Sequence, residues 1–497
     1  MPGGHAVALV RPCDEAQVAD VLRRAPSVLT IGAQSSLTGG ATPMGEVLLS
    51  TARLRSIQVR TGSVIAGAGV TLADLEAALA GANAWYPPVP TYAGATVGGI
   101  VATNAAGAAT FKYGSTRSWV DGLTVVLADG DVLDLDRGDV TADDRGGFDL
   151  HLQRGTVRIA APTYRLPPVA KVSAGFFAAP HMDLIDLFIG AEGTLGVVTS
   201  VTLRTLHARP ANGLMLVSCP SRAVALQLVA DLRARSQETW RAGDPNGIDV
   251  CAIEHMDRRC LELLRADGVD DDLDVSLPAD TELALLVAIE LPPGMNGRES
   301  FAAIAGALDG TASDSGLVRL CRLLHERHLL DRTEFAGPED RARRLQLLGL
   351  REAVPATVNQ RIGLAQRTID ARIEKVAADV IVPFDCLAAL LDACAYEFDR
   401  HRVDGAVWGH ISDGNLHPNV IPRSLDEFEA GKAAVLAIGR TAMALGGSPC
   451  AEHGVGRNRV KQQLVRELYG EAGVNAMRAI KRALDPSGRL APGVLGL

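Results

Sequence analysis

PPVPTYAGATVGGIVATNAAGAATFKYG, residues 87–114, is the stretch on which the interpretation of this 497-residue chain depends. It carries almost no charge and mixes Gly and Ala with Thr96, Thr103 and Asn104. Such a composition makes a poor helix and a poor strand. Glycine lacks a Cβ and accepts positive φ, so the pattern predicts a folded loop whose backbone N–H groups approach a large ligand. A tight structural turn explains the glycines equally well, and the pattern alone leaves both interpretations open.

Two segments of this stretch, GATVGGIVATNAAG (94–107) and KYG (112–114), resemble the flavin-binding signature of the vanillyl-alcohol oxidase type of FAD enzymes, in the D-2-hydroxyacid dehydrogenase branch. The similarity extends over nearly the whole chain. It implies an α+β fold, in which a two-subdomain FAD-binding domain of the PCMH type is joined to an α+β cap domain with an antiparallel sheet. The expected boundaries are 1–208 for the FAD-binding domain, 209–450 for the cap, and 451–497 for a C-terminal segment that returns to the FAD domain.

The composition is that of an ordinary globular protein. A hydrophobic content of 47% allows a large core, and the length suggests two or three domains. The net charge of −9 is spread without long single-sign runs, which argues against nucleic acid or an anionic membrane as the main partner. No run of about 18 apolar residues and no signal-peptide pattern is present. We therefore expect a cytoplasmic protein that is not an integral membrane protein.

The cysteines and glycine motifs exclude several classes of site. The eight cysteines are scattered and form no C-x-x-C pair, so disulfides, a thiolate zinc site and a cysteine-ligated iron–sulfur cluster lose support. No G-x-G-x-x-G follows a predicted strand, so a nicotinamide-binding Rossmann domain also has no support. The cysteines are Cys13, Cys219, Cys251, Cys260, Cys321, Cys386, Cys394 and Cys450.

The N-terminal region predicts a strand, a helix capped by Asp14, and a second strand at 27–32. That strand runs into a loop of glycine and hydroxyl residues at 32–40, which suits a pyrophosphate held by backbone N–H groups. The loop matches the first phosphate-binding loop of the resembled family, except that Gln34 and Ser35 stand where Gly and Thr are usual. Because the loop contains no histidine, the resemblance implies FAD that is not covalently attached there.

Further along the chain, residues 70–80 predict a helix that begins after Thr71, and Asp129-Gly130 predicts a hairpin turn. Residues 136–170 read as an irregular excursion. LFIGAEGTLG (187–196) resembles an element whose backbone lies along the flavin in the family. For Glu192 within it, we predict a structural role as an acceptor for backbone N–H groups, in preference to acid–base chemistry.

The resemblance implies a set of flavin-contacting residues drawn from these segments. They are Gly32, Gln34, Ser35, Ser36, Leu37, Gly39, Gly40, Pro88, Gly94, Ala95, Thr96, Gly98, Gly99, Thr103, Asn104, Gly107, Tyr113, Gly114, Glu192, Gly193, Gly196 and Val197.

From about residue 212 strands alternate with long helices, which predicts the cap with its antiparallel sheet. A helix predicted from Pro338 to about Val358 contains Arg351, in a motif resembling the family's substrate-carboxylate site. Arginine suits that role because its planar fork pairs bidentately with a carboxylate, although most arginines on a helix are merely solvated. Lys375 stands where relatives place a basic residue near the substrate.

Residues 408–420, WGHISDGNLHPNV, predict a hairpin with a two-residue turn at Asp413-Gly414. Counting outward from the turn places His410 opposite His417, where two imidazoles can bind one metal ion. Two surface histidines are the alternative. AEHGVG (451–456) adds Glu452, which completes a His/His/Glu set suited to a divalent ion. These segments resemble the paired cap signatures of metal-dependent D-2-hydroxyacid dehydrogenases, with zinc or manganese as the expected ion.

The resemblance implies oxidation of a D-2-hydroxy acid to the 2-oxo acid by hydride transfer to flavin N5. Arg351 would bind the substrate carboxylate, His453 would take the hydroxyl proton, and Asn415 would steady the substrate or a ligand. Electrons would pass to a quinone, a cytochrome, an electron-transfer flavoprotein or oxygen, and a homodimer is compatible with the sequence. Additional cations at the site would favour a dicarboxylate substrate, with Arg361 and Arg367 as candidates that are equally plausible as surface residues.

Two other functions are compatible with an FAD-binding fold. A transferase similar to alkylglycerone-phosphate synthase uses flavin without net oxidation, but that class should show consecutive histidines in the cap, and this chain has none. A non-catalytic FAD-binding subunit of an electron-transfer complex is the second. The combination of His410, His417, Glu452 and His453 argues for catalysis.

Overall fold

The computed structural model describes residues 3–88 and 92–497, so residues 89–91 of the glycine-rich stretch lie outside it. In chain order the strands are β1 (Ala8–Val10), β2 (Val28–Ile31), β3 (Val47–Ser50), β4 (Ile57–Arg60), β5 (Ser63–Gly67), β6 (Ala84–Trp85), β7 (Val120–Val126), β8 (Val132–Asp136), β9 (Gly147–Leu152), β10 (Gly155–Ala160), β11 (Val197–Arg204), β12 (Leu206–His207), β13 (Ala211–Cys219), β14 (Val250–Asp257), β15 (Leu283–Leu291), β16 (Thr333–Ala336), β17 (Val376–Ala377), β18 (Val380–Ile381), β19 (Gly405–His410) and β20 (Asn415–Val420).

The helices, in the same order, are α1 (Glu15–Arg24), α2 (Leu72–Ala80), α3 (Val97–Ala102), α4 (Thr110–Tyr113), α5 (Ile185–Phe188), α6 (Arg222–Ala242), α7 (Arg258–Ala266), α8 (Val269–Asp272), α9 (Gly297–Ala305), α10 (Gly316–Glu326), α11 (Arg341–Thr368), α12 (Leu387–His401), α13 (Leu425–Ala444) and α14 (Arg459–Leu484, interrupted at Gly470). Short 3-10 segments occur at Thr116–Trp119, Leu330–Arg332, Phe384–Cys386, Ile411–Asp413 and Val494–Gly496. Among the described residues, no helix is both long and apolar enough to cross a membrane.

The chain divides into two compact units. The first comprises Met1–Gly107, Gly114–Ala208 and Gly446–Leu497, and the second comprises Ala108–Tyr113 and Arg209–Leu445. Both units combine helices with sheets, so the predicted α+β class is confirmed.

The first unit contains a parallel sheet in the order β1-β3-β2 and an antiparallel sheet in the order β4-β5-β11-β7-β8. Its predicted helices form as expected, because Asp14 and Thr71 each accept a hydrogen bond from a backbone N–H in the first turn of α1 and α2. The hairpin predicted at Asp129-Gly130 also forms, with Val126 opposite Val132. Apolar side chains of α1 pack on this sheet system to form a core.

Two predictions for the first unit were wrong. Residues 97–102 of the glycine-rich stretch form α3, because Thr96 caps the helix through the Gly99 N–H and the buried side chains of Val97, Ile100 and Val101 outweigh the poor helix propensity of glycine. Residues 136–170, predicted to be irregular, contain the hairpin β9–β10. Its signal was an alternation of apolar and polar residues, seen in the structure as alternating burial along β9.

The C-terminal segment is an integral part of the first unit. Val28 exchanges backbone hydrogen bonds of 2.8 Å with Arg489 and Ala491. The Glu192 carboxylate accepts the N–H groups of Val455 at 2.8 Å and Gly456 at 2.9 Å, which confirms its predicted role as a backbone anchor. Burial raises the pKa of Glu192 to about 7, although the two hydrogen bonds act to lower it.

The second unit is built on an antiparallel sheet in the order β16-β13-β15-β14-β19-β20-β17, with β18 pairing to β20. The predicted alternation of β13, α6, β14, α7 and β15 is confirmed. The helix predicted at 338–358 extends to Thr368 as α11, because its buried apolar positions continue at helical spacing to Ile362 and Ala365. Pro355 lies inside α11, where its missing N–H leaves the Arg351 carbonyl without the usual helical donor.

The predicted register of the β19–β20 hairpin was wrong. Trp408, rather than His410, lies opposite His417. The two-residue turn is replaced by a 3-10 turn at Ile411–Asp413, followed by Gly414 at a φ of 86°. This larger turn is fixed from outside the hairpin, since the Ser412 hydroxyl accepts the Ile253 N–H of β14 at 3.1 Å.

We predict that Glu192→Ala lowers the free energy of unfolding of the first unit by about 2–5 kcal/mol, because two backbone N–H groups lose their acceptor. Glu192→Gln, which keeps one acceptor oxygen, should lose less. Denaturant unfolding of the FAD-loaded protein measures both, with Asp144→Ala as an exposed control that should stay within about 0.5 kcal/mol of the wild type. An unchanged stability of Glu192→Ala would contradict the anchor role.

A second prediction concerns His255, which is fully buried in β14 with Nδ1 at 3.2 Å from the Gly409 carbonyl. Burial lowers the pKa of His255 to about 4 from 6.5. Its neutral form therefore stabilises the fold above pH 6.5, and that stability is lost as the pH falls towards 4, by about 3 kcal/mol. Unfolding curves over this pH range should fall less steeply for His255→Gln than for the wild type, and parallel curves would contradict the prediction.

Candidate functional site

His410 and His417 lie together in the second unit. Their rings meet edge to face, with centroids 5.2 Å apart and planes at 90°. Both side chains are buried. The contact survives the corrected register because Trp408 and His410 are two residues apart on β19 and so share a face. Two imidazoles at this separation are a donor set suited to a divalent metal ion.

Glu254, which the sequence analysis missed, connects His410 with Arg351. Its Oε1 lies 2.9 Å from His410 Nδ1, and its Oε2 lies 3.1 Å from both Nε and Nη2 of Arg351. Burial alone would raise the pKa of Glu254, but the positive charge of Arg351 and the hydrogen bond from His410 outweigh it, so the pKa lies below its ordinary value. The sequence signal was a carboxylate inside the apolar strand VCAIEHMD.

A second set of buried polar groups surrounds His417. Its Nδ1 lies 3.6 Å from Oδ1 of Asp379, another residue that the sequence analysis missed. The Asn415 amide donates to the same Asp379 oxygen at 3.2 Å and to the Val380 carbonyl at 2.9 Å. These two hydrogen bonds fix the orientation of the amide. Asn415 Oδ1 accepts a hydrogen bond from none of the described residues, although the side chain is fully buried. Asn419 Oδ1 is in the same situation.

Asn415, His417 and Asn419 alternate along β20, so all three face the same side of the sheet. The two amide oxygens can accept hydrogen bonds from a bound molecule. An unsatisfied buried oxygen is costly unless a ligand or water completes it. This face therefore has the features of a polar ligand site.

The basic residues predicted to lie near the substrate differ in their ion pairs and in their burial. Arg351 is mostly buried and paired with Glu254. Lys375 precedes β17, and burial lowers the pKa of its ammonium to about 8. Arg361 is paired through two nitrogens with Asp267, and Arg367 is exposed.

Glu452 and His453 lie in the first unit. Glu452 Oε2 forms a buried ion pair of 2.7 Å with Lys171, and Oε1 lies 3.5 Å from His453 Nε2. Ser173 fixes the same segment, because its N–H donates to the Cys450 carbonyl at 3.0 Å and its hydroxyl accepts the Gly454 N–H at 3.1 Å. Lys171 was missed, and its only signal was a lysine in an otherwise uncharged segment, KVSAGF.

The loop at 32–40 has the features of a phosphate site. Gln34 and Gly39 have positive φ, at 53° and 74°, and Ser35 and Leu37 are exposed. Among the described residues, the N–H groups of Ser35 and Ser36 donate to no protein acceptor. Backbone donors of this kind fit the pyrophosphate of a dinucleotide.

The other predicted flavin contacts lie around α3 and the 187–197 segment. Gly98 permits α3 to approach β5's end closely, since a Cβ there would lie 2.7 Å from Ala68 Cβ. Asn104 has a φ of 48°, and its side-chain oxygen accepts the Arg117 N–H at 2.9 Å. Gly193 has a φ of 73° and open space where a side chain would stand. Every predicted flavin contact except Tyr113 belongs to the first unit.

Tyr113 belongs to the second unit. Its hydroxyl donates to Glu290 at 2.5 Å, and the neighbouring Lys112 forms ion pairs with Asp249 and Glu290. These bonds hold segment 108–113 against the start of β14 and the end of β15.

Comparison with known proteins identifies the family. Residues 219–495 match the family model described as "FAD linked oxidases, C-terminal domain", and residues 6–136 match the one described as "FAD binding domain". The D-2-hydroxyglutarate dehydrogenase of Xanthomonas citri pv. viticola is 28% identical over 99% of this chain and 89% of its own length. The D-lactate dehydrogenase of Archaeoglobus fulgidus is 26% identical over 98% of this chain and 90% of its own length.

A solved structure supports the same fold. The 4-ethylphenol oxidase from Gulosibacter chungangensis matches with a TM-score of 0.62 at 16% identity, over 98% of this chain and 88% of its own length. The predicted vanillyl-alcohol oxidase type of FAD-binding fold is therefore confirmed. Because the family model for FAD-linked oxidases alone matches more than half of the sequence, this chain belongs to the FAD-linked oxidase family and is an FAD-dependent oxidoreductase.

Proposed function

We propose that this protein oxidises a D-2-hydroxy acid to the corresponding 2-oxo acid with the help of FAD and a divalent metal ion. The observation that carries the proposal is the pair of buried imidazoles of His410 and His417, with rings 5.2 Å apart and Arg351 attached to the same polar cluster through Glu254. Similarity to D-2-hydroxyglutarate and D-lactate dehydrogenases over nearly the whole chain supports the substrate class.

FAD would be held by the 32–40 loop and the segments around α3 and 187–197, and would accept the substrate hydride at N5. Zinc or manganese would be held by His410 and His417, with Glu452 as the predicted third ligand, and would polarise the substrate hydroxyl. The donor set fits such an ion because both imidazoles are buried and His410 is already bound at Nδ1, which leaves Nε2 as its ligand atom.

The remaining steps belong to side chains of this protein. Arg351 would bind the substrate carboxylate through the edge of its guanidinium that Glu254 does not use. Asn415 would accept a hydrogen bond from the substrate at its free side-chain oxygen. His453 would take the hydroxyl proton, since a neutral imidazole is available near pH 7. Lys375, which the resemblance to the family predicts to lie near the substrate, would add positive charge there.

The reduced flavin needs an electron acceptor other than a nicotinamide. Without a nicotinamide-binding motif in the sequence, reduced flavin would pass its electrons to a quinone, a cytochrome, an electron-transfer flavoprotein or oxygen. A flavin-dependent transferase would bind FAD but would not reduce it in the presence of a hydroxy acid. A non-catalytic subunit would likewise show no turnover alone.

The test is the visible spectrum of the FAD-loaded protein under anaerobic conditions, recorded while D- and L-2-hydroxy acids with one or two carboxylates are added. We expect the flavin band near ~450 nm to bleach with a D-acid and not with its L-enantiomer. A yellow protein that no hydroxy acid reduces would contradict the oxidase proposal and favour the transferase or the subunit.

Removal of the metal should abolish this reduction. We predict that a chelator, or the substitution His417→Ala, lowers the rate of anaerobic flavin reduction at least ~100-fold, because the substrate hydroxyl is no longer polarised. Added Zn²⁺ or Mn²⁺ should restore the chelated wild type but not His417→Ala. His325→Ala, at an exposed histidine of the second unit, is the matched control and should reduce at the wild-type rate. Full activity in metal-free protein would contradict the metal's role.

Loss of Arg351 should weaken substrate binding. We predict that Arg351→Met raises the KM for the hydroxy acid about 10- to 100-fold, the loss expected for a hydrogen bond to a charged group. Arg343→Met, which removes another arginine of α11 paired with a glutamate, is the control and should leave KM unchanged. Steady-state kinetics with an artificial electron acceptor measures both. An unchanged KM in Arg351→Met would show that the substrate carboxylate binds elsewhere.

A further inference from the structure

We propose that Glu254 is a positioning residue that holds His410 and Arg351 at the same time, one with each carboxylate oxygen. The inference rests on the proposed function, because it concerns how the predicted metal ligand and the predicted carboxylate-binding arginine are oriented. It adds a residue that touches neither substrate nor metal but determines which atoms of its two neighbours face them.

The first contact fixes the protonation of His410. Glu254 lies directly opposite His410 in the β14–β19 ladder, and its Oε1 is 2.9 Å from Nδ1. A carboxylate can only accept, so Nδ1 carries the hydrogen and Nε2 keeps its lone pair. An imidazole in this tautomer binds a metal through Nε2, and its orientation is set by the hydrogen bond at the other nitrogen.

The second contact fixes Arg351. Both Nε and Nη2 lie 3.1 Å from Glu254 Oε2. A guanidinium held at two adjacent nitrogens cannot rotate freely about its plane, and its remaining Nη1 edge is directed away from Glu254. The long flexible side chain is therefore ordered before a ligand arrives, which reduces the entropy lost on binding.

The two contacts depend on each other through charge. The Glu254 carboxylate is mostly buried, and so is the guanidinium of Arg351. A buried charge is tolerated when it is paired and hydrogen-bonded. Arg351 balances the carboxylate that orients His410, and the carboxylate balances the guanidinium. Glu254 thus links the proposed metal site to the proposed carboxylate site within one unit.

The competing explanation is a structural ion pair that merely attaches α11 to the sheet. The protein supplies a matched control for it, because Arg343 of α11 is paired with Glu334 of β16 and has no histidine partner in the described part of the chain. A structural role predicts that Glu254→Gln and Glu334→Gln have similar effects. A positioning role predicts that only Glu254→Gln affects metal binding.

The test is the affinity of the FAD-loaded protein for Zn²⁺, measured by competition with a chromophoric chelator. We expect Glu254→Gln to bind Zn²⁺ about 10- to 100-fold more weakly than the wild type, the usual effect of losing a partner that orients a metal ligand. Glu334→Gln should bind within about twofold of the wild type. Glu254→Asp, which keeps the charge on a shorter side chain, serves if Glu254→Gln does not fold, and should also bind more weakly than the wild type.

A second readout reports the tautomer directly. In ¹⁵N-histidine-labelled protein without metal, the His410 ring should show its hydrogen on Nδ1 in the wild type and in Glu334→Gln. A shift towards the Nε2-protonated form is expected in Glu254→Gln, because a neutral amide oxygen accepts the Nδ1 hydrogen less strongly than a carboxylate does, and the amide can also turn its NH2 group towards the ring. A structural ion pair alone would leave the tautomer unchanged.

His410→Ala distinguishes a failure of the proposed metal site from a failure of the positioning role of Glu254. If His410→Ala binds Zn²⁺ as tightly as the wild type, the proposed metal site is wrong, and the role of Glu254 falls with it. If His410→Ala binds weakly while both Glu254 variants bind normally, the metal site stands and the positioning role is overturned.

Discussion

The buried carboxylate of Glu254 is the constraint on which the polar centre of the second unit depends. A carboxylate in the middle of an apolar strand has to be satisfied by donors from other elements, since its side chain is only 12% exposed to water. Here the donors are His410, on the neighbouring strand, and Arg351, on a helix that crosses the sheet. The position of α11 and the orientation of the His410 imidazole therefore both depend on a single side chain. The apolar residues around Glu254 strengthen these interactions, because they keep most of the water away.

The first unit uses the same physical solution twice, with different partners. Glu192 is satisfied by the backbone N–H groups of Val455 and Gly456, so it fixes a loop without the help of a charged side chain. Glu452 is satisfied by the ammonium of Lys171, which holds one oxygen while the other stays next to His453. Glu192 is thus held by backbone donors, whereas Glu452 has a charged partner at one oxygen and an imidazole near the other.

The sequence predicts those features that local interactions determine. Helices α1 and α2 were predictable because their caps, Asp14 and Thr71, lie beside the turn that they stabilise. The histidines and Arg351 were predictable because their motifs are short and resemble those of a known family. Glu254 was not, because the residues that give it meaning lie 97 and 156 positions away in the chain. Lys171 is 281 positions from Glu452, and no local pattern records such a partnership.

The error in the predicted register of the β19–β20 hairpin leaves His410 and His417 on the same face of the sheet. Side chains alternate along a strand with a period of two, so an error of two residues leaves each side chain on its predicted face. The rings of His410 and His417 therefore still meet, although they are not directly opposed. On its other edge β19 pairs with β14, where His410 stands in register with Glu254. A tight two-residue turn would have opposed the two histidines directly. The larger turn is held to β14 through Ser412, and His410 contacts both a neighbouring imidazole and the carboxylate that orients it.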